Sequence, residues 1–500
     1  MQLPTSAGSD GLTTASSPKV QDFIRNVRSP SNEWFAPGLP VLVVRAPGRL
    51  DVMGGIADTT GSLVLEMPLA RAVVLAVQAR DDQRVVICSL SQERPGQDAE
   101  FAWPLAWLYE EGGETATSPR AFAARFEGHD AAWARGLAGV FYMLLADKAV
   151  DHFGGGATIV FDATATRPAG IGSTGALQAA TVFALAALYD LSLDPMEAAR
   201  ICRRAENRIV GVPCGVMDPA VSLTGQADAL LQLRCQPHDA LGHLSLPEGV
   251  TAIGVHSGVR HRGGARRYVE VRAAAAMGHR MILDRMQREG VRGDPTRGYL
   301  ANVTPEEFVE RFRDRLPTKI RGAEFLSRYG ETTDAATRVD PETVYKVRSR
   351  TEHHIYENRR VHQFAERISR ALRTGHRGPV AEAGELMYAS HWSYGQRCGL
   401  GCIETDLLST MVRQRGVEQG FYGAKTSGAG AGGTVVVLMD DTDANHAAVE
   451  QIVAAYADRT GRSPEILRGS SDGAIAFGVH RVEAPSSKSE SLAQGDLQRR

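Results

Sequence analysis

The sequence predicts an α+β protein of two domains that share a cleft, and three observations carry that prediction. Five hundred residues are more than one hydrophobic core usually serves. Short apolar, strand-like runs are interleaved with longer stretches of helical spacing. Two glycine loops, around residues 170 and 428, lie far apart in the chain, and each adjoins a strand-like run.

Composition narrows the function classes. The hydrophobic share of 43% is that of an ordinary globular protein. Lys plus Arg (56) nearly balances Asp plus Glu (58), and no block of like charge stands out, so neither nucleic acid nor an acidic membrane has an electrostatic footprint here. A small-molecule partner is expected. The six cysteines are sparse and irregular, which suits a reducing compartment; Cys398-x-x-x-Cys402 lacks a second paired set for zinc. The start has no basic-then-apolar leader and no stretch reaches about 18 apolar residues, so a cytoplasmic location is expected.

In chain order, residues 1–31 are Ser/Thr/Gly-rich and are read as a partly disordered tail. The first domain is placed at 32–250. It opens with a strand at Pro40–Arg45, then a glycine-punctuated loop carrying Arg49, Asp51 and Asp58. Strands follow at 63–69, 72–79 and 83–90, a helical stretch at 121–149 and a strand at 157–161. Helices are expected at 178–191 and 195–210, the second presenting Glu206, and beyond it a turn ends in Asp218. Strands at 229–233 and 251–256 lead to the basic turn Arg260–Tyr268. The second domain is placed at 251–482. Within it, 286–345 weakens into charged, Pro-containing pieces and is read as an insertion or lid, followed by helices at 355–373 and 380–391. The glycine loop 423–433, a strand, a helix at 443–459 and a last strand at 475–479 complete it, and 483–500 has the composition of a loose tail.

The strongest local signal is the strand, glycine turn and helix around Gly170-Ile171-Gly172-Ser173-Thr174-Gly175-Ala176. Glycine lets the backbone approach a ligand, and the first N–H groups of a helix, having no intrahelical partner, point at an anion. Gly170, Gly172 and Gly175 also spell a dinucleotide fingerprint, but that needs an acidic residue on the following strand. Asp190 and Asp194 sit at the end of the same helix instead. A second match, Gly428, Gly430 and Gly433, runs straight into a strand, so a nicotinamide enzyme is disfavoured.

Three motifs occur together and in order: Arg45-Ala-Pro-Gly-Arg49, Ala169-Gly-Ile-Gly-Ser-Thr-Gly-Ala176 and Lys425-Thr-Ser-Gly-Ala-Gly-Ala-Gly-Gly433. Together they resemble the GHMP small-molecule kinase family. Gly211-Val-Pro-Cys-Gly-Val-Met-Asp218 is similar to the galactokinase branch. Arg45 through Asp58 and His256-Ser-Gly-Val-Arg-His261 resemble the kinase portion of plant L-arabinokinases, without the glycosyltransferase-like domain those proteins carry ahead of it. The resemblance implies a two-domain fold with the site in the cleft, ATP phosphates on the middle loop, and Mg2+ held by Thr174 and Glu206. It implies Asp218 as the catalytic carboxylate beside Arg49, and a sugar bound by Arg49, Asp58, Gly215, Asp218 and Tyr268. Ser427, Gly428, Ala429 and Gly430 form the third motif loop.

Departures refine this reading. Thr174 keeps the hydroxyl of the family's serine run, Thr59 stands where Tyr is usual, and Pro219 where Gln is usual. Where galactokinases read Gly-Glu-His-Thr-Asp, with Glu and His serving the sugar's 6-hydroxyl, this chain has Gly54-Gly55-Ile56-Ala57-Asp58. L-Arabinopyranose shares galactose's ring configuration and lacks carbon 6, so the resemblance implies L-arabinose as the acceptor. Galactose or another aldose is the alternative; a catalytically inactive ATP and sugar sensor, the alternative of another class, predicts loss of Asp218, Glu206, Thr174 or Arg49, and all four are present.

Overall fold

The structure is a computed structural model and describes residues 18–29, 33–90, 100–111, 113, 115–128, 132–167, 170–259 and 264–484. Residues 1–17, Pro168, Ala169, the basic turn up to Gly263 and residues 485–500 therefore lie outside the described residues. Inside the expected N-terminal tail, α1 (Pro18–Val27) is a helix. Val20, Phe23, Ile24 and Val27 recur at helical spacing and bury one stripe against the first sheet.

The first sheet contains β1 (Pro40–Met53), β2 (Leu63–Ala79), β3 (Arg84–Ser89) and β4 (Glu100–Pro104). α2 (Pro119–Ala124), α3 (Arg135–Ala146), β5 (Ala157–Asp162), α4 (Ser173–Leu188), α5 (Pro195–Ala205) and α6 (Met217–Thr224) come next, then β6 (Ala229–Arg234) and β7 (Asp239–Ser245). The sheet order is β14-β1-β2-β5-β3-β4, with β6 on β2 and β7 on β6. Among the described strands, only β3 and β5 run parallel. α3, α4, α5 and α6 cover one face, packing Leu137, Phe141, Phe183, Ile201 and Leu223 on Val73, Leu75, Ile159 and Phe161.

β8 (Val250–His256) starts a second, antiparallel sheet. After it come α7 (Gly264–Arg288), α8 (Pro305–Glu307), β9 (Ile320–Arg321), α9 (Gly322–Tyr329), β10 (Val344–Tyr345), α10 (Val347–Thr374), α11 (Gly378–Ser393) and α12 (Ile403–Arg415). β11 (Phe421–Thr426), β12 (Thr434–Asp440), α13 (Asp443–Thr460) and β13 (Glu465–Leu467) complete that sheet in the order β11-β12-β8-β13. The chain then forms α14 (Ala474–Phe477) and β14 (His480–Glu483), which pairs antiparallel with β1. A core of Leu50, Val52 and Leu65 from the first sheet with Val436, Leu438, Val361 and Phe364 from the second half joins the two parts.

Several elements differ from their expected form. The runs 63–69 and 72–79 are one long strand, β2, whose start pairs with β6 and whose end pairs with β5. The stretch 121–149 is broken into α2, a short 3-10 turn and α3. α4 starts at Ser173 rather than Gln178, because Gly172, at φ +69°, turns the chain directly into the helix. Residues 474–477 are helical and the last strand is 480–483, with Ala484 buried. β7 was not foreseen because only Leu244 along it is buried, so its apolar pattern is faint. Segment 286–345 is tied down: Phe308, Phe312 and Phe325 pack with Met277 and Met281 of α7 and Ile355 of α10.

Candidate active site

Arg49 is the centre of the charged cluster. The strand β1 carries it between the glycine loop and α6: its N–H donates to Ile171 O at 2.8 Å, and Ser222 on α6 donates to Pro47 O at 2.7 Å. Only 3% exposed, the guanidinium donates from Nε (3.0 Å) and Nη2 (2.7 Å) to Asp218 Oδ1, and from Nη1 to Gly170 O at 2.7 Å. Glu66 Oε2 lies 3.2 Å from Nε. Burial alone would depress this guanidinium, but Asp218, Glu66 and Asp51 outweigh burial and hold it charged.

Asp218 is the second residue of α6, where unpaired N–H groups favour a carboxylate. The glycines at the start of α4 face it. A Cβ on Gly175 would stand 2.4 Å from Asp218 Cβ, and one on Gly172 would stand 3.2 Å from Asp218 Cγ and Arg49 Cγ. The start of α4 has no side-chain cap, so its first N–H groups remain available to an anion. Thr174 there is exposed, Ser173 half-buried, and Ile171 and Ala176 are buried behind them. Pro219, third in α6, removes an N–H that has no intrahelical partner at that position, so the helix loses nothing.

The third motif loop closes on the same point. Asp51 N donates to Ser427 Oγ at 3.0 Å, and that hydroxyl donates to Gly170 O at 3.1 Å. Asp51 and Lys425 form a wholly buried ion pair at 3.0 Å, and Asp51 Oδ2 also accepts from Gly428 N at 3.1 Å. Tyr394, buried, donates to Gly428 O at 2.9 Å and accepts from Ile56 N at 2.8 Å, bridging that loop to the loop after β1. Gly430, at φ +74°, brings its backbone against Leu400 O, while Ala429 is half-buried beside it.

Asp58 and Gly215 meet. A Cβ at Gly215 would stand 1.5 Å from Asp58 Oδ2, so only glycine fits. Both Asp58 oxygens are buried without a hydrogen-bond partner, and burial pushes the carboxyl up to about 8 against the pull of Arg272. Such a pair of orphaned oxygens is what a ligand hydroxyl would satisfy. Ile56 is buried with Val271, Tyr394, Cys398 and Leu400, and Tyr268 packs on this apolar cluster.

The region 140–226 matches the family domain described as GHMP kinases N terminal domain, and 369–458 matches GHMP kinases C terminal. The chain carries both domains of the GHMP kinase family. An L-arabinokinase of Arabidopsis thaliana is 32% identical over 490 residues, 88% of this chain, while the chain spans 47% of that relative's length. Human galactokinase is 29% identical over 86% of this chain and 91% of its own. The crystal structure of Lactococcus lactis galactokinase complexed with galactose superposes with a TM-score of 0.67 at 18% identity, covering 93% of this chain and all of that one, which establishes the shared fold.

In this GHMP kinase chain the expected metal ligands are few. Glu206 begins a single π-helical turn (Glu206–Val210) after α5 and accepts from Gln178 Nε2 on α4 at 2.9 Å. Burial pushes its carboxyl up to about 7; the Gln178 bond pulls it down and the charge of Asp218 adds to the rise. Among the described residues no cluster of three or more His, Cys, Asp or Glu could hold a metal. One carboxylate and one hydroxyl still fit magnesium, which keeps waters and phosphate oxygens as its other ligands.

Sequence reasoning missed Glu66, Tyr394 and Arg272 and gave Lys425 no role. Glu66 had a signal: it is the one charge inside the apolar run Leu63–Leu69. Fully buried, it has both oxygens without a hydrogen bond, and burial first, then Asp51, drive its carboxyl well up while Arg49 opposes them. Arg45, the first arginine of the opening motif, is a clasp instead: it donates to Ala70 O and Ser471 Oγ, both at 2.8 Å. No described helix is long and apolar enough to cross a membrane.

Proposed function

We propose that this chain is an ATP-dependent sugar 1-kinase that phosphorylates the anomeric hydroxyl of L-arabinose, giving L-arabinose 1-phosphate and ADP. The observation that carries the reading is the seating of Asp218, held by buried Arg49, directly against Gly172 and Gly175 at the uncapped start of α4. A phosphate on those N–H groups has the carboxylate beside it, and position and charge are what phosphoryl transfer needs.

In this mechanism Asp218 accepts the proton of the anomeric hydroxyl as its oxygen forms a bond to the γ-phosphorus, and the bond from that phosphorus to the β–γ bridging oxygen breaks to release ADP. Arg49 fixes the Asp218 carboxylate through Oδ1 and carries positive charge next to the reacting oxygens. Thr174 and Glu206 would hold Mg2+, which supplies charge neutralisation on the phosphates when bound. Asp58, with its unpartnered oxygens, accepts ring hydroxyls, and Gly215 and Tyr268 line the same end.

The apolar surroundings of Ile56 support a sugar without carbon 6. A 6-hydroxyl there loses water without a replacement partner, at about 1–3 kcal/mol or roughly one to two orders of magnitude in kcat/KM. The similarity to an L-arabinokinase, alongside several galactokinases, supports the sugar-kinase class. A coupled ADP-release assay over a panel of aldoses tests it: L-arabinose should lead and galactose trail by that margin. Equal efficiency on the two sugars removes the L-arabinose assignment, and no turnover of any aldose removes the class.

A further inference from the structure

Segment 286–345 reaches the Asp58 end of the site through Asp334 on Arg272. Asp334 accepts from Arg272 twice, Nε to Oδ2 at 2.5 Å and Nη2 to Oδ1 at 3.1 Å. Arg272 is 3% exposed on α7, one turn beyond Tyr268. Its remaining terminal nitrogen, Nη1, donates to Cys214 O at 3.2 Å, and Asn207 Oδ1 takes the Cys214 N–H at 2.7 Å. The next residue is Gly215, whose backbone lies against Asp58 Oδ2.

The pairing has an electrostatic consequence. Arg272 and Asp58 attract each other, and Asp58 has two buried oxygens without a partner. Arg272 is nevertheless spent on Asp334, a two-point fork that fixes the guanidinium plane. Asp334 is itself held, by Thr337 Oγ1 at 2.5 Å and Ala336 N at 3.0 Å. A second tie runs alongside: His279 on α7 meets Thr333 at 3.0 Å and Thr296 at 2.8 Å.

We propose that Asp334 is a positioning residue for the acceptor: by engaging Arg272 it fixes the Cys214–Gly215 backbone and leaves the Asp58 oxygens open for sugar hydroxyls. Segment 286–345 is then part of acceptor recognition in this chain. The inference rests on the sugar-kinase reading above.

The test compares Asp334→Asn and Asp334→Glu with the parent in the full chain, reading the KM of L-arabinose, the KM of ATP, kcat and the melting temperature. Asp334→Asn removes the fork's charge and one of its two acceptor oxygens and frees Arg272 for Asp58, so the sugar KM should rise by about tenfold or more. The ATP KM should hold, and Asp334→Glu should recover much of the loss. Should Asp334→Asn fail to fold, Thr337→Val, which removes one bond to Asp334 and no charge, should raise the sugar KM in the same direction by a smaller factor. An unchanged sugar KM in the folded variants, or sugar and ATP KM values that rise together, overturns the proposal. A parent inactive on every aldose sinks the kinase reading with it, whereas an active parent with an indifferent Asp334 sinks this inference alone.

Discussion

At the scale of single residues, charge placement decides the chemistry. Asp218→Asn keeps the shape and removes the proposed proton acceptor, so turnover should fall by about two orders of magnitude or more while nucleotide binding, measured by calorimetry, persists. Near-normal turnover would take Asp218 out of the mechanism. Thr174→Val should change both the magnesium dependence and the ATP KM, with Thr174→Ser mild; an unaltered profile would free Thr174 of that role. Asp58 makes a pH prediction. Its carboxyl is raised from 3.8 to about 8 by burial, so the stability linked to it is fully present below about 4 and is lost as pH rises through about 8. Asp58→Asn should flatten the fall of melting temperature across that window, and an identical slope in parent and variant would show that Asp58 does not titrate there.

At the scale of elements, the start of α4 and the start of α6 work as a pair because two glycines let them touch. Gly175→Ala puts a methyl 2.4 Å from Asp218 Cβ, so α6 must move. A misplacement of about 1 Å costs about a hundredfold in rate, and kcat should fall accordingly with the far-ultraviolet dichroism unchanged. An active Gly175→Ala enzyme would mean that the contact between the two helices can relax freely. The loop after β1 constrains specificity engineering in the same way. Gly55 sits at φ +53°, and a Cβ would stand 2.4 Å from Tyr394 Oη, so the Gly55→Glu, Ile56→His exchange suggested by the galactokinase motif collides before it reaches a sugar. Ile56→His alone is the better probe; it should narrow the gap between L-arabinose and galactose in kcat/KM.

At the scale of the whole molecule, the two halves are joined under the site by a buried charge pair. Lys425 on β11 and Asp51 on β1 are both fully enclosed. Removing one partner strands the other, so Lys425→Met should cost about 3–5 kcal/mol in denaturant unfolding. A loss within error of zero would mean that water or a proton compensates Asp51. The sequence by itself determined the family resemblance, the three glycine-bearing motifs, the glycine turn into α4 and the candidate set Arg49, Asp218, Glu206 and Asp58, because turns, helix starts and charges in glycine loops are local signals with a local physical cause. It also placed most strands and helices, since periodic apolar residues report the face each buries. It was silent where the partner is remote. That Tyr394 ties two loops together, that β14 returns to pair with β1, and that Asp334 takes the guanidinium of Arg272 all depend on residues hundreds of positions apart or on weakly patterned segments. Burial turns such distant neighbours into strong electrostatic partners, and only the tertiary structure decides who is buried beside whom.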